Sequence, residues 1–178
     1  EPYRRQRQMC IRDRGTYQLN SYLQSWVGNN INRKGDYQEI GTQKIYKNDK
    51  VIQLQNILRE SYPSKEKYPL SNGQIGFVKS INKGHINVMY VGIPHETFGF
   101  RGDKGEDQDA AIELAYAITI HKSQGSDFDT VFVVLPKTGR ILSRELIYTA
   151  LTRAKKRVVL LVQDSIGSVS YTHLTLPT

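Results

Sequence analysis

The chain has 178 residues, 25 of them basic and 17 acidic, for a formal net charge of +8. That length holds one domain, or one domain with a small insert, around a real hydrophobic core. No run of 18 apolar residues exists and no signal peptide is visible, so no membrane partner is expected and a cytoplasmic setting is the default. The single cysteine, Cys10, excludes an internal disulfide framework and a multi-cysteine zinc site. The basic excess suits a polyanionic partner, although basic surface alone is a weak signal.

The two ends are set apart from the fold argument. Residues 4–14 read RRQRQMCIRDR and residues 169–178 read VSYTHLTLPT. Both resemble translated sequencing-adapter read-through; the alternative is a genuine basic arm and a genuine polar tail. Without residues 1–14 there remain 20 basic and 15 acidic residues and no cysteine.

From Gly15 onward, Leu19, Tyr22, Leu23, Trp26 and Val27 fall at i, i+3, i+4, i+7 and i+8. That spacing predicts an amphipathic helix, with Gly28 as its stop. Asn29 to Tyr37 reads as a loop. Ile45-Tyr46 and Val51 to Leu54 flank Lys47 to Lys50, which predicts strand, turn, strand with Asn48-Asp49 in the turn. Asn56 to Leu70, with Pro63 and Pro69, reads as a loop.

Asn72-Gly73 is a turn signal. Ile75, Phe77, Val78 and Ile81 follow, then a second turn at Asn82-Lys83-Gly84, then Ile86, Val88 and Tyr90 at period two. These residues predict short antiparallel strands in a small β insert, closed by the polar residues 93–109. Arg101-Gly102-Asp103 within that closing stretch reads as an ordinary charged loop rather than an adhesion tripeptide.

Two apolar runs, Leu114 to Ile118 and Val131 to Leu135, then flank a dense polar turn from Thr119 to Ser126. Both runs read as fully buried strands, and polar residues at the end of such a strand are where α/β proteins place binding chemistry. Gly139-Arg140 marks a turn. Ser143 is a suitable N-cap, and Glu145 lies in the first turn of a helix whose apolar face is Leu146, Ile147, Ala150 and Leu151. Lys155-Lys156-Arg157 ends it, and Val158 to Val162 is another buried strand. The fold class is therefore α/β.

Taken alone, His121 reads as a satisfied buried histidine and Arg153 as a surface residue capping its helix. Together, TIHKSQGSDFD (119–129) and ELIYTALTRAKK (145–156) are far more specific. They resemble motifs V and VI of superfamily 1 DNA helicases, in the RecD-like branch with a UvrD-like C-terminal domain. The petite-integration-frequency branch typically has QGLTLD and ALSR, which Ser126-Asp127-Phe128 and Thr152-Arg153 do not match. DKVIQLQN (49–56), NGQIGFV (72–78) and GTYQLNSYLQ (15–24) are similar to other segments of the same family, so that the resemblance covers residues 15–166.

The resemblance implies a partial RecA-like second motor lobe of the P-loop NTPase type, with a small inserted Src-homology-3-like β-barrel. The implied division is lobe at 15–71 and 106–168, barrel at 72–105, and adapter-derived tails at 1–14 and 169–178. It implies that Thr119, His121, Lys122 and Gln124 face single-stranded DNA, with contacts to phosphate that position the strand without reading sequence. Gly125, Ser126 and Asp127 then face ATP; Asp127 stands where the family usually has glutamate, one methylene longer. Arg153 is implied as the catalytic arginine finger on the γ-phosphate, with Tyr148 and Thr152 orienting it. Phe77 and Tyr90 of the barrel are candidates for stacking on the displaced strand, with Phe77 expected in the barrel core.

No G-x-x-x-x-G-K-[ST] phosphate loop is present, and no apolar strand ends in Asp-Glu to hold magnesium; Val158 to Val162 ends in Gln163-Asp164 and reads as a lobe strand. ATP with Mg2+ is thus expected to be held mainly by an N-terminal motor lobe outside this chain. The expected function is the C-terminal part of an ATP-dependent, 5′-to-3′ DNA helicase, inactive alone. A standalone nucleic-acid-binding module and a lobe of a relaxase-associated helicase remain open beside it.

Overall fold

The computed structural model describes residues 2–30, 35–82, 84–101, 111–135, 144–165 and 168–175, with side chains between Gly15 and Val162. The chain divides into two compact units, Glu1–Thr119 and Ile120–Thr178.

The first unit opens with a helix, α1 (Pro2–Asn30). It runs through the predicted stop at Gly28, and its backbone includes residues 2–14, which the sequence argument set aside. The predicted apolar face is only partly used. Leu19, Leu23 and Val27 are half-buried, whereas Tyr22 and Trp26 are 68% and 58% exposed. The helix is held instead by a polar row. The Tyr17 hydroxyl donates to Thr42 O at 3.2 Å, and Gln24 Nε2 donates to Lys44 O at 2.7 Å. Between them Asn20 is buried and bonded to the Ala117 peptide. Buried polar groups are tolerated only when bonded in this way.

A hairpin follows, β1 (Tyr37–Ile40) with β2 (Gln43–Tyr46). Its cross-strand pair Tyr37 and Tyr46 brings ring centroids within 5.6 Å, and Lys44 Nζ lies 4.6 Å over the Tyr37 ring. The predicted turn then leads into β3 (Lys50–Gln53), with Asn48 at φ 69°, a conformation asparagine adopts more readily than most residues. The stretch read as a loop at 56–70 is in fact a second hairpin, β4 (Ile57–Glu60) with β5 (Lys67–Leu70). Pro69 is tolerated because this two-stranded ribbon leaves edge positions free.

The predicted antiparallel strands form as β6 (Ile75–Asn82), β7 (His85–Tyr90) and β8 (Phe98–Arg101). With β3 and β9 (Ile112–Leu114) they make one five-stranded antiparallel sheet, ordered β8-β7-β6-β3-β9. The hydrogen-bond ladder therefore runs across the expected edges of the insert at 71/72 and 105/106, because β3 pairs with both β6 and β9. Gly76 permits the tight β6–β7 approach: a Cβ there would lie 2.6 Å from Val88 Cγ1 and 3.0 Å from Met89 O.

Period-two burial on β7 and β8 puts Ile86, Val88, Tyr90, Phe98 and Phe100 inside, with Ile40, Ile45 and Leu70 from the two hairpins. Each such side chain contributes about 1.5–3 kcal/mol of burial. The two aromatics of the expected insert exchange their expected places. Tyr90 is 1% exposed, packed 5.7 Å from the Phe98 ring, with its hydroxyl donating to Gln53 Oε1 at 2.6 Å; Phe77 is 39% exposed. Tyr90 thus cannot stack on a nucleic acid, and Phe77 lies outside the core because Phe77 and Val78 point to opposite faces of β6.

The second unit holds β10 (Phe128–Leu135), α2 (Arg144–Leu151), β11 (Ala154–Ser165) and β12 (Ser168–Thr175). β10 and β11 are parallel, joined through α2, which is a β-α-β arrangement. β12 pairs antiparallel with β11, so residues 169–175, expected to be an adapter-derived tail, carry strand backbone. A small core gathers Val133, Ala150, Ala154 and Val158.

Two expectations change here. The run Leu114 to Ile118 is not a strand of this α/β sheet: only Leu114 is in a strand, and that strand pairs with β3. Nor is β10 buried on both faces. Val133 is buried, but Phe132 and Val134 are 64% and 57% exposed, because among the described residues α2 covers only the face of β10 that carries Val133. The Gly139-Arg140 turn, the Ser143 cap, Lys83, and Gly102-Asp103 lie outside the described residues.

Candidate functional site

The predicted polar turn folds as a chain of tight turns rather than an open loop. Ser123 N and Gln124 N donate to Ile120 O and His121 O at 3.2 and 3.3 Å, and Ser126 N donates to Ser123 O at 3.1 Å. Gly125 has φ +84°, the left-handed position that a turn of this kind needs at its third residue. Nothing lies within 4 Å of where its Cβ would be, so glycine is there for its backbone and not for space.

Ser123 is the residue that motif reading passed over. It is buried, and its hydroxyl donates to Ile120 O at 2.7 Å, doubling the backbone bond of the same turn. Its neighbours point outward. His121, Gln124, Gly125 and Asp127 are exposed, while Lys122 and Ser126 are half-buried. Thr119, half-buried, closes the first unit, and the rest of the motif opens the second.

Arg153 sits in the turn between α2 and β11. Its own N–H donates to Ala150 O at 3.3 Å, and the Thr152 N–H to Tyr148 O at 3.0 Å. Its carbonyl accepts from Phe128 N at 2.8 Å, which ties the end of α2 to the start of β10. The side chain is held on three sides. Nε donates to Thr149 O at 3.3 Å, Nη2 to Thr152 Oγ1 at 3.4 Å, and Nη1 lies 3.5 Å from Asp127 Oδ1. Asp127 and Arg153, 26 residues apart, are thereby brought together.

The ion pair is half in solvent, with side chains 23% and 50% exposed, so it is worth no more than about 0.2–1 kcal/mol. Such a contact can be exchanged for a stronger anion. Thr152 Oγ1 accepts from the guanidinium, whereas the Tyr148 side chain is 70% exposed and its carbonyl accepts in the turn. A parallel link lies one residue pair along, where Lys156 Nζ meets Asp129 Oδ2 at 2.8 Å and holds that carboxyl below its ordinary range. Among the described residues no three His, Cys, Asp or Glu side chains gather as a metal site.

With this geometry in view, residues 114–161 match the family described as UvrD-like helicase C-terminal domain. The span takes in the polar turn, β10, α2 and most of β11. Over 48 residues the chain is 56% identical to the RecD subunit of the RecBCD enzyme of Mycobacterium tuberculosis, a match covering 26% of this chain and 8% of that one.

The chain carries a RecD-like superfamily 1 helicase C-terminal region. A longer match, 37% identity over 87 residues, is to the ATP-dependent RecD2 DNA helicase of Deinococcus radiodurans and covers 48% of this chain. The chain spans only about a tenth of the length of these curated relatives, 8% and 11%. Among solved structures, a Pif1 helicase from Bacteroides, in complex with ADP-AlF3 and single-stranded DNA, superposes with a TM-score of 0.52. That match has 19% identity and covers 80% of this chain and 36% of the other. At that identity the likeness is one of fold, and it accords with the mixed α/β architecture. Among the described residues no helix is long and apolar enough to cross a membrane.

Proposed function

We propose that this chain is the C-terminal motor-lobe part of an ATP-dependent, RecD-like DNA helicase with 5′-to-3′ polarity, working in the cytoplasm. In this reading it grips single-stranded DNA through Thr119, His121, Lys122 and Gln124. Gly125, Ser126 and Asp127 face ATP, and Arg153 supplies the arginine finger. ATP and its Mg2+ are held mainly by an N-terminal motor lobe, which is the chain's principal protein partner. Strands β6 to β8 correspond to the inserted Src-homology-3-like barrel.

The observation that carries the reading is Arg153, tethered by Thr149 O, Thr152 Oγ1 and Asp127 while remaining partly open to solvent. A guanidinium has five donors in a planar fork, and three contacts leave capacity for phosphate oxygens. Charge spreads over the equatorial oxygens of a transferring phosphoryl group, and a cation placed there is worth about 10³–10⁵ in rate. The exposed His121 and Gln124 lie on the same turn as Asp127, so in this reading strand grip and nucleotide contact share one loop.

The test is direct. The full chain should bind fluorescein-labelled oligo(dT) with salt-dependent affinity and hydrolyse ATP at the background rate whether or not DNA is present. DNA-stimulated turnover by this chain alone would contradict the division of labour. Tight DNA binding combined with indifference of the longer protein to loss of Arg153 would favour a standalone binding module.

A further inference from the structure

The polar turn begins two residues after Ala117, and the path into it is not held by the sheet. The β3–β9 ladder ends at the Val51–Leu114 pair, and one further backbone bond joins Ala115 N to Lys50 O at 2.8 Å. From there side chains replace the ladder. The Ala117 N–H donates to Asn20 Oδ1 at 2.9 Å, and Asn20 Nδ2 donates back to Ala117 O at 2.8 Å. The reciprocal pair fixes the amide's orientation, because the peptide N–H can only donate. Asn20, 2% exposed, thus acts as a one-residue strand laid against residue 117.

The preceding residue is pinned from the other side. Tyr116 OH donates to Asp49 Oδ1 at 2.9 Å. Asp49 is fully buried, and its second oxygen accepts from Tyr46 N at 2.8 Å and from Gln24 Nε2. Asn20 and Gln24 lie four apart on α1 and so share a face. One helix, one turn carboxylate and two successive residues of the exit path therefore form a single bonded network, with Asn20 and Asp49 buried at its centre and Gln24, Tyr116 and Ala117 half-buried around them.

We propose that Asn20 and Asp49 are positioning residues for the DNA contact at Thr119. They fix Ala117 and Tyr116, two and three residues before Thr119, and so hold the approach along which the Thr119 hydroxyl and peptide meet a phosphate. The inference rests on the reading of Thr119 as a strand-gripping residue, and it adds α1 and the β2–β3 turn to the machinery of that grip. A hydrogen bond that must meet its acceptor within a few tenths of an ångström loses most of its strength when its support loosens.

Fluorescence anisotropy of the full chain with fluorescein-labelled oligo(dT), read beside its melting temperature, tests this. Thr119→Val should weaken binding. Asn20→Leu, isosteric and without either hydrogen bond, should weaken it by about tenfold, the loss of roughly one contact. Tyr116→Phe, which removes one hydroxyl and is the milder change should Asn20→Leu fail to fold, should weaken it by about threefold. Tyr90→Phe deletes a buried hydroxyl in the same unit away from this path; it should lower the melting temperature and leave affinity unchanged, separating positioning from stability. If Thr119→Val weakens binding while Asn20→Leu and Tyr116→Phe bind as Tyr90→Phe does, the positioning role is overturned and the reading of Thr119 stands. If the unsubstituted chain does not bind, or binds regardless of Thr119→Val, the reading of Thr119 falls and the inference falls with it.

Discussion

The Asp127 carboxylate stands 3.5 Å from the Arg153 guanidinium, and the Phe128 N–H donates to the Arg153 carbonyl at 2.8 Å. Side chain and main chain thus join the same two segments, one entering β10 and the other leaving α2. The backbone bond sets the geometry. The ion pair, half in solvent, sets only where the guanidinium rests.

Asp127→Asn should therefore change the melting temperature of the chain very little, corresponding to about 0.2–1 kcal/mol. The amide keeps the shape and one acceptor oxygen while removing the charge. A loss of several kcal/mol in denaturant unfolding would mean that the pair is a structural bridge rather than a resting contact.

Tyr90 makes a pH-dependent prediction. Burial raises its hydroxyl pKa well above the ordinary value of 10.0. In the unfolded chain it ionises near its ordinary value, so the folded state holds the proton more tightly. Stability from this group is complete below about pH 10 and is lost as pH rises through the window above it. Tyr90→Phe leaves Gln53 Oε1 without its donor and should cost about 1–3 kcal/mol at neutral pH. The gap between the two proteins should narrow on going from pH 9 to pH 11 in parallel thermal melts. A constant gap would contradict the assignment.

Two glycines should fail in different ways. Gly76→Ala forces a methyl against Val88 and the Met89 carbonyl, an overpacking cost of about 1–3 kcal/mol. Gly125→Ala has space but the wrong φ, a cost of about 1–2 kcal/mol. Asparagine, which tolerates the left-handed region, should be better accepted than valine at Gly125, whereas no side chain should be accepted at Gly76. Melting temperatures of the four variants decide this; equal tolerance of Asn and Val at Gly125 would show that the turn relaxes.

Much of the architecture is legible in the residues. Ile86, Val88 and Tyr90 declare β7 by period two, and Ser126-Asp127 with Thr152-Arg153 declare the pairing of the two motifs. What is not legible depends on non-local partners. The helical spacing of Tyr22 and Trp26 suggests a buried face, but hydrogen bonds from Tyr17, Asn20 and Gln24 turn a polar row inward. Residues 56–70 look like a loop because their prolines and charges obscure a two-stranded ribbon that needs no sheet neighbour. The apolar run 114–118 looks like one strand because nothing local shows that a side-chain amide takes over from the ladder at Ala117. Ser123 is not legible in the sequence because its task, sealing a turn, leaves no trace beyond its residue type.

The central claim is that Arg153 acts on ATP bound by another lobe. The most direct measurement is single-turnover ATP hydrolysis, with saturating oligo(dT), by this chain together with the proposed N-terminal motor lobe. Arg153→Ala should slow the chemical step by about 10³-fold or more, with oligo(dT) affinity largely retained, and Arg153→Lys should not restore it because an ammonium lacks the planar fork. Turnover near the unsubstituted rate in Arg153→Ala would show that the guanidinium beside Asp127 is not the finger.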